Sequence, residues 1–174
     1  MARRSDSEAV RHLAALALAV TLLAPVGGVH AEQWGAMVPG ESTMAVVRAL
    51  RGAPTRTAIE KVDGFDTARW VYEAAQAPAG IARLTIDFGL KTASGYHAEI
   101  VRSFKLEPRP GAFDRRSVLV GWGPPAGVGR DGEDEFIFYQ EGLFVYFAPK
   151  DDSQVTSMVF TPPQLPSAPA EPRP

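Results

Sequence analysis

One pattern occurs twice in this chain, and each occurrence is a short helix with its start and its stop written in. Pro39, Gly40, Val47, Gly52 and Pro54 return, all at the same offset, as Pro110, Gly111, Val118, Gly123 and Pro125. Thr43 and Asp114 stand where an N-cap side chain accepts from an orphan backbone N–H. Gly52 and Gly123 stand where a left-handed residue closes the last turn ahead of a proline. Phe113 and Val118 flank the second cap at the spacing of a hydrophobic staple.

Strands are expected after each helix. Thr57 to Val62 leads through an Asp63-Gly64 turn into Ala68 to Glu73, rich in strand formers. Arg83 to Phe88 alternates cleanly, with Leu84, Ile86 and Phe88 on one face and Arg83, Thr85 and Asp87 on the other. Ser94-Gly95 then turns the chain into Glu99 to Leu106, where Ile100, Phe104 and Leu106 share a face that Arg102 interrupts. After the second helix come Pro124-Pro125, a glycine-rich loop to Asp134, and strands near Glu135 to Tyr139, Leu143 to Phe147 and Val155 to Thr161. Tyr72 has its counterpart in Tyr139, and Phe88 in Phe147. This ordered return predicts a diverged duplication. The expected class is α+β: two tandem units, residues 34–108 and 109–161, each a short N-terminal helix on an antiparallel sheet of three to four strands, the sheets sharing one extended surface.

The ends read differently. Arg3, Arg4 and Arg11 precede the apolar run Leu13 to Ala24; Pro25, Gly27 and Gly28 break it, and Val29-His30-Ala31 offers a small-residue cleavage site. This is the order of a secretory signal peptide over residues 1–31. The run is shorter than the roughly 20 residues a spanning helix takes. At the other end, residues 162–174 alternate proline with small and polar residues and predict an extended, disordered tail. The chain has no cysteine, which removes disulfides, thiolate chemistry and a lipid-modified N-terminal cysteine. A net charge of −2 provides no basic surface for nucleic acid. The expectation is an exported protein, periplasmic or secreted, soluble and not lipidated, with peripheral or no membrane contact after cleavage.

Trp34, Pro39-Gly40-x-Ser42-Thr43, Val47, Leu50 and Gly52-x-Pro54, followed by strands, resemble the SmpA/OmlA family of small outer-membrane assembly proteins. The doubled arrangement is also similar to the beta-lactamase inhibitor proteins. The resemblance spans most of residues 34–161. It implies helix-plus-sheet units in tandem and a function exercised by binding other proteins, with no catalytic or interface residue transferred.

In such a sheet, helices cover one face and leave the other to water or a partner. Aligning Leu143, Val145 and Phe147 with Leu84, Ile86 and Phe88 puts Phe144 and Tyr146 on the free face, with Val155 and Val159 flanking them. Aromatic residues where water is expected mark a candidate contact patch. Trp70 and Tyr72 alternate together and either line the free face of the first half or fill its core. Gly127-Val128-Gly129-Arg130-Asp131-Gly132 fits G-x-G-x-x-G on paper, but a dinucleotide fingerprint needs a strand before it and a helix after it. Pro124-Pro125 precedes and an acidic run follows, so the stretch reads as a loop and no cofactor is expected. Asp131, Glu133, Asp134 and Glu135 lack the spacing of a calcium loop. His97, the only histidine after residue 31, sits on a Gly95-Tyr96-His97 turn without a nucleophile-elbow motif. No catalytic or metal residue is assigned. The function expected is non-enzymatic binding of another envelope or secreted protein, as assembly factor, scaffold or inhibitor; the alternative is a small-ligand carrier with its cavity between the repeats.

Overall fold

A computed structural model of the protein describes residues 34–149 and 151–163. The predicted signal peptide and most of the proline-rich tail lie outside them. Helix α1 (Met44–Arg51) is followed by β1 (Arg56–Val62), β2 (Phe65–Glu73), β3 (Ile81–Thr92) and β4 (Gly95–Pro108). Helix α2 (Arg115–Trp122) is followed by β5 (Gly127–Asp131), β6 (Asp134–Tyr139), β7 (Leu143–Ala148) and β8 (Asp151–Phe160). All eight strands form one sheet in the order β1-β2-β3-β4-β8-β7-β6-β5, and every adjacent pair is antiparallel.

The expected fold class is corrected by this sheet. Among the described residues the protein is mostly β, with one continuous eight-stranded sheet and two α-helices of 8 residues each, rather than two tandem α+β units. The join lies between β4 and β8, where Phe104, Lys105 and Leu106 pair with Phe160, Val159 and Met158. Phe104 and Phe160 stack there with ring centroids 4.5 Å apart, both buried. Their pairing carries the core across the join without a break.

Both helices begin and end as their sequences dictate. Thr43 Oγ1 accepts from the backbone N–H of Val46 at 3.3 Å. Asp114 Oδ1 accepts from that of Ser117 at 2.7 Å, and Ser117 Oγ accepts in return from the Asp114 backbone at 3.0 Å. This reciprocal capping box holds the Asp114 carboxyl below its usual range through the Ser117 hydrogen bonds. Gly52 and Gly123, at φ 75° and 80°, end the helices. Their carbonyls accept from two buried tyrosines: Tyr72 Oη to Gly52 O at 3.2 Å and Tyr139 Oη to Gly123 O at 3.0 Å.

The helices lie on one face of the sheet, and the core lies under them. One buried row runs Trp70, Ile86, Phe104, Phe160, Leu143, Tyr139 from β2 to β6. Arginines roof this layer: Arg51 lies 4.6 Å from the Trp34 ring centroid, Arg48 5.0 Å from that of Trp70, and Arg115 3.9 Å from that of Phe147. Each gains a cation–π contact, and Arg51 and Arg115 are half-buried in making it.

Three strand expectations also change. The glycine-rich stretch after Pro125 is strand β5, not a loop, for a reason given below. Val101, not Ile100, is the buried residue at that point of β4. Asp87 pairs with Ser103 but Phe88 with Val101, so Arg102 is an extra residue, and a bulge moves every side chain before it to the opposite face. His97 belongs to β4 rather than to a turn.

Candidate partner-binding face

On the side without helices, one row of residues crosses the whole sheet: Arg56, Val71, Thr85, Lys105, Val159, Phe144, Phe138, Gly127. Its chemistry changes at the join. From β1 to β4 the face is a lattice of ion pairs. Arg69 Nε meets Asp87 at 2.6 Å and its Nη1 meets Glu60 at 2.7 Å; the Asp87 hydrogen bond raises the Arg69 pKa further. Glu73 takes Arg56 and Arg83, both at 3.2 Å, and Glu107 takes Arg83 and Lys105, both at 3.3 Å. Such half-exposed pairs contribute little stability. They keep most of this half polar; its apolar exceptions are half-buried Val71 and the Phe65 ring, stacked on Tyr96 with centroids 4.4 Å apart at the hairpin end.

From β8 to β5 the same face is aromatic. Phe136 and Phe138 of β6 stand beside Tyr146 and Phe144 of β7, with ring centroids 5.3 Å apart for Phe136–Tyr146, 6.0 Å for Phe136–Phe144 and 6.2 Å for Phe138–Phe144. Val159 of β8 lies next to Phe144. All five are half-buried, although no helix among the described residues covers them. Burial, with Asp131 and Asp134 nearby, pushes the Tyr146 hydroxyl up.

Strand β5 completes the patch by having no side chains on this face. Gly127 and Gly129 pair with Phe138 and Phe136. A Cβ on Gly127 would lie 2.6 Å from Phe138 Cε1, and one on Gly129 would overlap the Phe136 ring. The rings therefore lie across β5, occupying the space its own side chains would take. This explains why a glycine-rich segment forms a strand: the neighbouring aromatics supply the packing that glycine lacks.

Of the residues expected at the contact patch, Phe144, Tyr146 and Val159 are on the helix-free face. Val155 is not: Tyr146 pairs with Ser157 but Phe147 with Val155, so a bulge at Thr156 turns Val155 into the core, where it is 2% exposed. Trp70 and Tyr72 are also withdrawn from the patch. Both alternate with Arg69 and Val71 and so point under α1, with Tyr72 fully buried. Phe136 and Phe138 were missed. The segment from Phe136 to Tyr139 is apolar at every position, so alternation cannot tell its faces apart; the glycines two apart in β5 were the available signal.

Among the described residues His97 lies beside two hydroxyls but has no acid to orient its ring. Its Nε2 lies 3.2 Å from Thr92 Oγ1 and 3.1 Å from Ser94 Oγ at the exposed tip of the β3–β4 hairpin, with no carboxylate bonded to the ring among the described residues. Among those residues no group of three or more His, Cys, Asp or Glu is placed to hold a metal ion. Three depressions lie over α2 (about 430 Å³, lined by Arg115, Leu119 and Val120), at the β3–β4 hairpin, and beside the Tyr139–Gly142 turn. None of these three is at the β4–β8 join, where a carrier's cavity was expected. No helix among the described residues is long and apolar enough to cross a membrane.

No family model matches the chain, and no curated protein does. Among solved structures, it is similar to a DUF4309 family protein (YjgB) from Bacillus subtilis subsp. subtilis str. 168, at 12% identity, over 73% of this chain and 82% of that one, with a TM-score of 0.46.

Proposed function

We propose that this is an exported, non-enzymatic protein-binding module that meets its partner through the aromatic half of the helix-free sheet face. The observation that carries this reading is the contrast within that face. Phe136, Phe138, Phe144, Tyr146 and Val159 stand together without a covering helix among the described residues, while the β1–β4 half of the same surface is crossed by ion pairs and has one aromatic stack, Phe65 on Tyr96, at its hairpin end. Aromatic side chains present large contact area at low entropic cost and concentrate binding energy. An open surface of this kind suits a macromolecule better than a small ligand, which needs enclosure. Export rests on the charge, apolar and cleavage pattern of residues 1–31.

The test is cross-linking in the envelope of the producing cell followed by mass spectrometry, comparing wild type with Phe144→Ser/Tyr146→Ser. The expected result is a defined partner captured by wild type and lost from the variant, with both proteins still giving a cooperative unfolding transition. Equal capture by both removes the aromatic face as the contact.

A further inference from the structure

The two edges of the sheet are built differently. Edge strand β1 carries Arg56, Glu60 and Lys61, each ion-paired to β2: Arg56 to Glu73, Glu60 to Arg69 and Lys61 to Asp66. Charges along an edge oppose the addition of another strand. Edge strand β5 has no charge over Gly127, Val128 and Gly129. Because the Phe136 and Phe138 rings lie across its glycines, the next strand in the row would meet those rings directly. On the other side of β5, Val128 is 62% exposed. Arg130, at the end of the strand, pairs in register with Glu135, but that carboxylate is held by Arg115 at 2.6 Å. No ion pair holds the Arg130 guanidinium among the described residues.

We infer that the edge of β5 takes an extended segment of another protein as an added strand. Apolar side chains on one side of that segment lie on the Phe136–Phe138 ledge, and a carboxylate on the other side meets Arg130. Backbone pairing along the edge supplies affinity, while the alternate side chains supply selection. The acidic character follows from the unpaired cation. A second copy of this chain fits less well, since its own β5 would bring a second Arg130 to the same side, while its Asp131 lies on the opposite side of the strand. The inference rests on the protein-binding reading above and specifies where and how the partner is held.

The test uses the full chain, isotope-labelled, with an acetylated and amidated octapeptide that alternates valine with glutamate. Two further peptides serve as controls: one N-methylated at alternate amides, and one with lysine for glutamate. The expected result is saturable binding with hydrogen exchange slowed about tenfold over residues 127–131, and about tenfold weaker binding of the N-methylated and lysine peptides. Arg130→Glu should reverse the order of the glutamate and lysine peptides. Binding that spares the β5 amides, binding indifferent to N-methylation, or no binding at about 1 mM peptide overturns the edge inference. None of these results touches the face itself, which is decided by the Phe144→Ser/Tyr146→Ser capture. Protection of residues 127–131 that rises with protein concentration alone, with a dimer in sedimentation, assigns the edge to a second copy and also overturns the inference.

Discussion

Phe160→Leu tests whether the sheet acts as one cooperative unit, because the β4–β8 join has only three paired positions and a single ring stack, at one end of them. Losing that stack removes about 0.5–1.5 kcal/mol beyond area burial. The smaller side chain forfeits transfer energy of about 0.8 kcal/mol, taken as one methylene. The sum is about 1.3–2.3 kcal/mol. For a folded body of about 130 residues, an unfolding entropy near 2.1 cal/mol/K per residue converts this to a Tm lower by about 5–8 °C. Two single-tryptophan backgrounds report from either side of the join: Trp70, beneath α1 on β2, and Trp122, at the end of α2. In one continuous sheet, fluorescence melts of both backgrounds fall together and by the same amount. If the Trp122 transition moved down while Trp70 stayed in place, the two halves would be melting independently and the argument from continuity would fail.

Tyr139→Phe leaves the Gly123 carbonyl without its 3.0 Å donor and should cost about 1–3 kcal/mol in chemical denaturation; an unchanged midpoint would mean that water replaces the hydroxyl freely. Gly129→Ala should cost about 1–3 kcal/mol through displacement of the Phe136 ring, whereas Val128→Ala, exposed on the opposite side, should be near neutral; equal effects would refute the role given to the glycines. Tyr72, Tyr139 and Tyr146 each have a hydroxyl pushed up from 10.0 by burial, so the folded state holds protons that the unfolded state releases. Their contribution is complete below about pH 10 and disappears as pH rises through the folded values. Denaturation midpoints should therefore fall above pH 10, together with a late rise in tyrosinate absorbance; a midpoint flat to pH 12 contradicts this.

How much of this was legible in the sequence depends on whether the signal is local. The caps were, because Thr43, Asp114, Gly52 and Gly123 act within one turn of their own helix. So was the facing of residues 83–88 of β3, where apolar and polar residues alternate; β7 is apolar throughout, and its facing follows only by alignment with that segment. The fold class was misjudged because local reading weighs each helix as heavily as each strand, whereas the sheet grows by pairing between distant strands. The pairing of β4 with β8 depends on register, to which single-strand patterns are blind. The patch was half legible for the same reason: Phe144 and Tyr146 follow from aligning β7 with the alternating segment of β3, but Phe136 and Phe138 come into it only by pairing with β7. Val155 was misplaced because one extra residue, Thr156, inverts the face of everything before it in β8.

Both bulges serve the repeated cap motif. Ahead of Arg102, the backbone of Val101 turns from β3 towards the entry to α1: its carbonyl accepts from Gly40 at 2.8 Å, and its N–H donates to Ser42 O at 2.8 Å. Thr43 bridges to Ile100. Ahead of Thr156, the N–H of Val155 donates to Phe113 O at 3.3 Å, and Asp114 bridges to Gln154. In each case the N-cap residue is laid against the strand next to the bulge, so the helix start and the strand face are set by one piece of backbone. Between the proline-glycine and the cap the chain turns, with Ser42 N–H donating to Val38 O at 2.9 Å and Ala112 N–H to Arg109 O at 3.0 Å, before the helix begins. Both helices thus meet the sheet beside a bulge on the same face, and among the described residues neither covers the other face with its aromatic half.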